Sequence, residues 1–503
     1  MYTADGNLVA QFLAPLPLSL SGYQAQQNAQ DWWNSLVYGA RQVSREIDVT
    51  QIAAISFTAQ CMCCLCVDDS GTPLYPALIW SDTRAQELGP SVLQHSATSY
   101  PFTGTADHYG SCIQKLNWFR NKQPQVYQNT FKMLQCKDYL AYRLTGRMCT
   151  DFSDACCSCA FDTRQQEWSL PVLHQLGLDP SKLPTALPST AVIGSVSGQA
   201  AQETGLSVGT PVVIGGQDFV CSALGAGCVQ SGDVYLSLGS SSWIAACSEQ
   251  MIVDDIHSMS NQIFPVSNTY LSMANLQGVG TVFKWLRNRI LRYATPETPC
   301  VDPYRNIYPY TGLAERIVQS PPGANGLLFL PYLLEHAPNH PDPWTSAAYI
   351  GLNWHHTQED LLRAAAEGVV FDIKTYLDLI VRQTGKSPAE ITVVGTASHE
   401  AELLQLISDI LDVPIKNLSL RGTTDPIGAA ILAGYGVGIY DNFAQASRFW
   451  SEEQHFQPNP ARSAYYRQLY SVFQDACTQL SSVQKELFLL NSCAPAQTLA
   501  RGD

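Results

Sequence analysis

Charged side chains are scarce in this sequence. Asp, Glu, Lys and Arg make up 14% of the 503 residues, whereas apolar residues make up 46% and aromatic residues 10%. This balance excludes a disordered, coiled-coil or collagen-like chain. The formal net charge is −14, and no segment gathers enough Lys and Arg to bind a phosphate backbone. We therefore expect no nucleic-acid partner.

Long apolar runs are also missing. No stretch approaches the roughly 18 to 20 consecutive apolar residues that a membrane span needs. The opening MYTADGNLVAQ contains no basic segment followed by an apolar one, which is the pattern of a secretory leader. The sequence thus predicts no membrane partner and a cytoplasmic location.

A disulfide framework is not indicated, although the sequence contains 16 cysteines. Two dense groups stand out, namely Cys61, Cys63, Cys64 and Cys66, and then Cys156, Cys157 and Cys159. Adjacent cysteines rarely bridge anything. A zinc site would need two CxxC-type pairs at ribbon spacing, whereas the first group lies inside the apolar run ISFTAQCMCCLCV. We predict buried thiols that act as small apolar side chains, and we assign no residue as a metal ligand.

Two common nucleotide-binding motifs are absent. The sequence contains neither a Walker A motif nor a GxGxxG fingerprint after a first strand, so the folds that depend on them are excluded. No fixed-period repeat or low-complexity linker divides the chain.

Short β-branched runs that alternate with segments of helical period are present throughout, which predicts an α/β fold. A chain of this length exceeds one hydrophobic core, so we expect two domains, residues 1–220 and 221–503, divided near the glycine turn that follows PVVIGG. Near the start, the Asp5–Gly6 turn predicts a hairpin followed by a strand over residues 7–18. In LLRAAAEGVVFDIKTYLDLI, one helix face carries the apolar residues Leu362, Ala366, Val369, Ile373, Tyr376 and Ile380.

The tetrapeptide at residues 215–218 reads GGQD. Two glycines end an apolar strand, and Asp218 opens an Ala/Gly-rich helix, where a carboxylate can accept a proton. The alternative is a helix N-cap, a position that Asp fills at many helix starts. The tetrapeptide alone leaves both interpretations open.

Two further glycine turns could hold phosphate groups. In SLGSSSW, Gly239 with the amides and hydroxyls of Ser240 and Ser241 could surround phosphate oxygens, although a Ser-rich hairpin turn looks the same. In QGVGTVFKWLRN, Gly280 precedes an amphipathic helix whose amino end would favour an anion. A role in helix packing is the alternative for this glycine.

Taken in order, many segments resemble the FGGY family of carbohydrate kinases, and the pattern is similar to that of xylulokinases. The resemblance covers nearly the whole chain. The segments that carry it are AQDWWNSL, AISFTAQ, DDSGTPLYPALIWSDTRA, CKDYLAYRLTG, TDFSDA, FDTRQQEWS, PVVIGGQD, GDVYLSLGSSS, NGLLFLPYL, AYIGLNWHHTQEDLLRAAAEGV and IGAAILAGYGVGIY.

The resemblance implies two ribonuclease-H-like domains, of the type found in actin and hexokinase, that flank a central cleft. It implies that Asp218 is the general base for a substrate hydroxyl, with the sugar side in residues 1–220 and the nucleotide side in residues 221–503. Residues implied for sugar binding are Gln60, Cys61, Met62, Arg84 and Asp218. Residues implied for nucleotide binding are Gly239, Ser240, Ser241, Gly280, Gly395 and Thr396. ATP and Mg²⁺ are the implied cofactors, and phosphoryl transfer would need positioning and charge neutralisation rather than a covalent intermediate.

The sequence departs from the family pattern at three places. Family members open with a strand that carries a DxGT phosphate loop, and this chain begins just past that place, because of either a late assigned start or degeneration. Thr396 and Ala397 replace glycines of the adenosine loop, and Met62 replaces a histidine of xylulokinases. We expect a kinase for a xylulose-like ketose or polyol. The alternatives are a sugar-binding pseudokinase with a regulatory role and an actin-like assembly or chaperone-type ATPase. A homodimer is left open as a partner state.

Overall fold

Helices and strands alternate along the chain in the computed structural model, which describes residues 1–239, 242–254, 256, 258–276, 279–286, 313–333, 342–420 and 423–493. The strands are β1 (Ser19–Ser21), β2 (Gln24–Gln27), β3 (Leu65–Val67), β4 (Ala77–Leu78), β5 (Lys132–Leu134), β6 (Cys149–Asp151), β7 (Phe161–Asp162), β8 (Glu167–Trp168), β9 (Thr185–Leu187), β10 (Val192–Ser195), β11 (Pro211–Val213), β12 (Val234–Ser237), β13 (Trp243–Ser248), β14 (Ser260–Phe264), β15 (Thr269–Asn275), β16 (Leu328–Leu330), β17 (Ala348–Ile350), β18 (Ile391–Val394), β19 (Ile415–Leu420) and β20 (Trp450–Phe456). The α-helices are α1 (Ala29–Val43), α2 (Ser96–Thr103), α3 (Cys112–Lys122), α4 (Pro124–Asn129), α5 (Cys136–Thr145), α6 (Phe152–Cys156), α7 (Leu170–Leu176), α8 (Gly198–Thr204), α9 (Asp218–Gly225), α10 (Val279–Trp285), α11 (Leu313–Ile317), α12 (Gln358–Thr384), α13 (Ala401–Leu411), α14 (Thr424–Gly436) and α15 (Pro460–Cys493).

The sheets mix parallel and antiparallel pairs. Within the described ranges, the largest sheet has seven strands in the order β14-β15-β13-β12-β18-β19-β20. Strands β18 and β19 run parallel, with Ile391 opposite Ile415, whereas β14 and β15 form an antiparallel hairpin. Strands β6 and β9 also run parallel. The predicted α/β class is therefore confirmed.

The contacts between Cα atoms divide the chain into two units. The first unit comprises residues 1–235, 245–273 and 418–453, and the second comprises residues 236–244, 274–417 and 454–503. In the first unit, Trp32 and Trp33 of α1 pack in one buried cluster with Leu65 of β3 and Ile214. In the second unit, α12 begins with a Thr357–Asp360 capping box and ends at Gly385 in the left-handed conformation.

The predicted apolar face of α12 is buried. Leu362, Ala366, Val369, Ile373 and Ile380 are each at most 2% exposed, and Tyr376 is partly buried. The 3.6-residue period therefore identified the side of this helix that packs inside the second unit.

The predicted buried thiols are also confirmed. Thirteen described cysteines are buried, among them both dense groups, and Cys477 is partly buried. Several pack in the two apolar clusters of the first unit, for example Cys63 in one and Cys64 and Cys66 in the other. These thiols act there as small apolar side chains.

The predicted strand over residues 7–18 is wrong. The turn before it is present, because the Gly6 N–H donates to the carbonyl oxygen of Thr3 (3.0 Å) and Tyr2 pairs with Leu8 in one bridge. Beyond that bridge the segment forms no strand, and the first strand is β1. Pro15 and Pro17 have no N–H to donate to a neighbouring strand, which explains the difference.

Candidate functional site

The turn that carries Asp218 connects β11 to α9. Gln217, not Asp218, is the N-cap of α9, and its side-chain oxygen accepts from the Phe219 N–H (3.1 Å). Asp218 is the first helical residue, and its Oδ1 also accepts from the Phe219 N–H (3.0 Å). The interpretation of Asp218 as the N-cap is therefore wrong by one residue, because an amide oxygen already caps this helix.

The Asp218 carboxyl has a strongly shifted pKa. Burial, with a smaller contribution from the nearby Asp425 carboxylate, raises this pKa to about 7. Hydrogen bonds from the Phe219 N–H and the Cys61 thiol act in the opposite direction. A carboxyl that titrates near neutral pH can take a proton from a hydroxyl and release it again.

Two glycines allow α9 and α14 to approach each other closely. A Cβ atom at Gly225 would lie 2.0 Å from the carbonyl oxygen of Thr424, and one at Gly428 would lie 1.9 Å from that of Cys221. The Ser222 hydroxyl donates to Thr424 Oγ1 (3.0 Å) at the same crossing. This backbone contact brings the amino end of α14, which carries Asp425, to the helix that begins with Asp218.

The segment Gln60–Met62 lies beside this turn. Gln60 Nε2 donates to Gln27 Oε1 (2.8 Å), and the Trp32 indole N–H donates to the same oxygen (3.0 Å). Met62 has a left-handed backbone with φ 58°. A hydrogen bond with Cys157 lowers the pKa of the buried Cys61 thiol, but burial and the charges of Asp218 and Asp154 give a net rise. Cys61 and Asp218 are thus brought together.

Arg84 forms a buried ion pair. Its Nε lies 2.9 Å from both carboxylate oxygens of Asp82, and its Nη2 lies 2.7 Å from Oδ2 of Asp82 and 3.1 Å from Gln26 Oε1. The residue is 1% exposed. Gln26 and Gln27 are adjacent in β2, so their side chains point to opposite faces of the strand. Arg84 and Gln60 are therefore anchored on opposite sides of β2, and sugar binding by Arg84 remains a prediction.

Lys115 was not identified from the sequence. This fully buried residue of α3 donates from Nζ to the carbonyl oxygens of Met62 and Ile79, both at 2.7 Å. It thereby connects the Gln60–Met62 segment to the IWSDTR segment. Burial lowers the pKa of its ammonium group. No local pattern marks Lys115, because its partners lie 53 and 36 residues away.

Four of the residues predicted to bind nucleotide, Gly239, Gly280, Gly395 and Thr396, belong to the second unit. Gly395, in the turn after β18, has φ 98°, and a Cβ atom there would lie 2.5 Å from the carbonyl oxygen of Leu238. Gly239 follows β12, and its N–H donates to Ser242 Oγ (3.2 Å). Gly280 lies in the first turn of α10. The sequence had predicted a position ahead of the helix, so that placement is wrong.

Other predicted positions are described only in part. Thr396 begins a short 3₁₀ helix, whereas Ser240 and Ser241 lie outside the described residues. Among the residues that the structure describes, no group of three or more His, Cys, Asp or Glu side chains is arranged to hold a metal ion. Mg²⁺ commonly binds through substrate phosphates with one or two carboxylates rather than through a full protein cage. No helix in the described ranges combines the length and apolar content that crossing a membrane requires.

These features agree with comparisons to known proteins. The model for the N-terminal domain of the FGGY family of carbohydrate kinases matches residues 4–225, and the model for the C-terminal domain matches residues 234–437. The two matches define the class of protein, a two-domain carbohydrate kinase. This chain belongs to the FGGY family.

Individual relatives match almost end to end. A xylulose kinase of Staphylococcus epidermidis is 27% identical over 481 residues, which cover 94% of this chain and 92% of the relative. The crystal structures of a ligand-bound xylulose kinase and a gluconate kinase from Lactobacillus acidophilus each superpose with a TM-score of 0.86, at 24% and 22% identity, over 97% of this chain and 96% of theirs. The predicted fold class, with two ribonuclease-H-like domains, is confirmed.

Proposed function

We propose that this chain transfers the γ-phosphoryl group of ATP to a hydroxyl group of a small ketose or polyol, with Asp218 as the general base. The substrate O–H gives its proton to the Asp218 carboxylate while the oxygen forms a bond to the γ-phosphorus atom, and ADP leaves. The observation that carries the proposal is the pKa of Asp218, which is raised to about 7 at the start of α9. A base with such a pKa is poised at neutral pH.

We assign the sugar to the first unit, beside Gln60, Cys61 and Met62. Arg84, which is anchored on the other side of β2, is the further residue that the family resemblance assigns to the sugar. The names of the relatives, xylulose kinase and gluconate kinase, support a substrate of five or six carbons. A thiol and a thioether at positions 61 and 62 make this surface less polar than an imidazole would, which favours a substrate with fewer hydroxyl groups at that end.

We assign ATP to the glycine turns of the second unit, Gly239, Gly280 and Gly395, together with Ser240, Ser241 and Thr396. The close approach of Gly395 to Leu238 supports this assignment, because it brings the turn after β18 next to the turn that contains Gly239. Mg²⁺ would arrive with the ATP phosphates and neutralise their charge. The division into residues 1–220 and 221–503 stays a prediction.

A coupled ADP-release assay tests the proposal. D-xylulose, D-ribulose, D-gluconate, xylitol and glycerol are supplied one at a time with MgATP, and a reaction without sugar measures background hydrolysis. We expect one or more ketoses or polyols to raise ADP release well above background. Asp218→Ala should lower the sugar-dependent rate of ADP release by about 10² to 10⁴-fold, the usual contribution of a general base. Equal activity of wild type and Asp218→Ala on every accepted substrate would refute the assignment of the base.

A sugar-binding pseudokinase is the second candidate. The observation that favours it is Thr396, a side chain at a position where the family has a bare glycine backbone. Isothermal calorimetry with MgATP distinguishes the two functions. A dissociation constant between about 1 μM and 1 mM supports the kinase, whereas sugar binding without ATP binding supports the pseudokinase.

A further inference from the structure

A buried cluster of one lysine and three aspartates lies in the first unit. Lys137 Nζ is 2.8 Å from Asp138 Oδ1, 2.8 Å from Asp151 Oδ1 and 3.0 Å from Asp154 Oδ2. None of the four side chains is more than 2% exposed. Burial raises the pKa of Asp154, whereas the charge of Lys137 acts to lower it. A buried ion cluster of this kind holds its members in one geometry, because losing one partner leaves an uncompensated charge.

Hydrogen bonds connect Asp151 Oδ2 of this cluster to the turn that carries Asp218. Asp151 Oδ2 accepts from the Ser153 hydroxyl (2.5 Å), the Ser189 hydroxyl (2.6 Å) and the Ser153 N–H (2.9 Å). The Ser153 oxygen in turn accepts from the N–H of Gln217 (3.0 Å). The path therefore runs from Lys137 through Asp151 and Ser153 to the Gly216–Gln217 peptide, one residue before Asp218.

Every group on this path is buried and oriented. Ser153 and Gln217 are each 0% exposed, so no solvent can replace the hydrogen bond between them. Because the Ser153 hydroxyl donates its hydrogen bond to Asp151, the lone pairs of the Ser153 oxygen are left to accept from the Gln217 N–H. Gln217 also caps α9 through its side chain. The main chain of Gln217 is thus held at the N-cap position, directly before the first residue of α9.

We propose that Ser153, held by Asp151 and Lys137, is a positioning residue that fixes the Gly216–Gln217 peptide and thereby aims the Asp218 carboxylate at the reacting hydroxyl. The inference rests on the proposed function of Asp218. Phosphoryl transfer depends on such positioning, since small displacements of a base lower the rate of reaction steeply.

The chain offers a matched pair of variants. Ser153→Ala and Ser189→Ala each remove one hydroxyl that donates to Asp151 Oδ2, and both residues are buried. Only Ser153 contacts the Gln217 N–H, whereas Ser189 contributes its main-chain oxygen to Gly215 (3.1 Å), which alanine retains. The difference between the two variants therefore isolates the link to Gln217 from the loss of a buried hydrogen bond.

Hydrogen–deuterium exchange provides a measurement that does not depend on activity. We expect the Gln217 amide to exchange about tenfold faster or more in Ser153→Ala than in Ser189→Ala under native conditions. With the preferred sugar, Ser153→Ala should lower kcat by about 10-fold or more, with the KM for ATP unchanged. Ser189→Ala should stay within about threefold of wild type in both parameters. Should Ser153→Ala not accumulate as folded protein, Ser153→Cys, of nearly the same size, replaces it.

The outcomes separate the two proposals. Equal Gln217 exchange in the two variants, or equal losses of kcat, overturns the positioning role of Ser153. A wild-type protein that phosphorylates no sugar overturns the proposed function instead, while the exchange comparison still decides whether Ser153 holds this peptide.

Discussion

Nζ of Lys115 lies 2.7 Å from the main-chain oxygen of Met62. The same ammonium group holds the main-chain oxygen of Ile79 at the same distance. One buried cation therefore satisfies the carbonyl groups of two segments to which we assign sugar binding. Lys115 lies 53 residues from Met62 and 36 residues from Ile79, so the link depends on the tertiary fold.

Replacement of Lys115 by methionine should destabilise the first unit and weaken sugar binding. The Met62 carbonyl group would lose its Lys115 donor, and the Ile79 carbonyl group would keep only the Asp82 N–H (2.9 Å). An unsatisfied buried group costs about 1 to 3 kcal/mol. Urea unfolding should show a loss of about 2 to 5 kcal/mol, and calorimetry should show weaker binding of the preferred sugar. Lys122→Met is the control, since Lys122 is exposed at the end of the same helix. Equal effects of the two variants would contradict the role of Lys115.

The stability of the protein should fall as the pH rises toward neutrality, in part because of Asp218. This carboxyl titrates near pH 7 in the folded state and near pH 4 in an unfolded chain. Between these values the folded state binds the extra proton, so the free energy of unfolding decreases with increasing pH. Asp218→Asn removes this titration and should be more stable than wild type above pH 7, by on the order of 2 to 4 kcal/mol. The difference should disappear near pH 4.

Thermal unfolding of wild type and Asp218→Asn from pH 4 to pH 8.5 measures this effect. Asp425→Asn provides a second test, because the Asp425 charge raises the pKa of Asp218. In that variant the pH-dependent region should move to lower pH. A constant difference between wild type and Asp218→Asn at every pH would show that Asp218 does not titrate as described.

Gly395→Ala should disturb the second unit more than Gly385→Ala. Both glycines have a left-handed backbone, with φ 98° and 68°, but the added methyl group meets Leu238 O at 2.5 Å at position 395 and open space at position 385. We expect a loss of about 1 kcal/mol for Gly385→Ala and about 2 to 4 kcal/mol for Gly395→Ala. Denaturant unfolding measures both, and ATP calorimetry should show weaker binding only for Gly395→Ala. Similar losses of stability would argue against the close approach.

The cysteines of the first unit should react slowly in the folded protein. Burial raises the pKa of Cys136 and Cys221, and it raises that of Cys156 to about 12, so their thiols stay protonated and covered at neutral pH. Iodoacetamide followed by peptide mapping at pH 7.5 should label these positions only after denaturant is added. Cys477, partly buried in α15, should react first among the described thiols. A disulfide or rapid labelling at the buried positions would contradict this description.

Local sequence identified the parts of the site that depend on local geometry. The GGQD segment placed Asp218 at the start of a helix, and the apolar period located the buried face of α12. The cap was misplaced by one residue because the Gln217 amide oxygen competes for the Phe219 N–H, and sequence alone does not rank these two acceptors. The strand expected over residues 7–18 does not form, because Pro15 and Pro17 cannot donate main-chain hydrogen bonds to a neighbouring strand even though the segment is apolar.

Contacts across long separations could not be predicted in the same way. Lys137 appears in CKDYLAYRLTG as an ordinary polar residue of an amphipathic helix, yet it is buried among three carboxylates. Ser153 lies 64 residues from Gln217. Such partners come into contact only in the tertiary fold, and the periodicity or spacing of residues in a single sequence does not predict these contacts.

The crossing of α9 and α14 has a consequence for how this site can change. At Gly225 and Gly428 the two helices touch through main-chain atoms, with no room for even a methyl group. The separation between the two acidic residues is thus set by backbone shape instead of by side-chain size. Substitutions elsewhere on these helices can therefore alter what surrounds the base while leaving the electrostatic influence of one carboxyl on the other nearly constant.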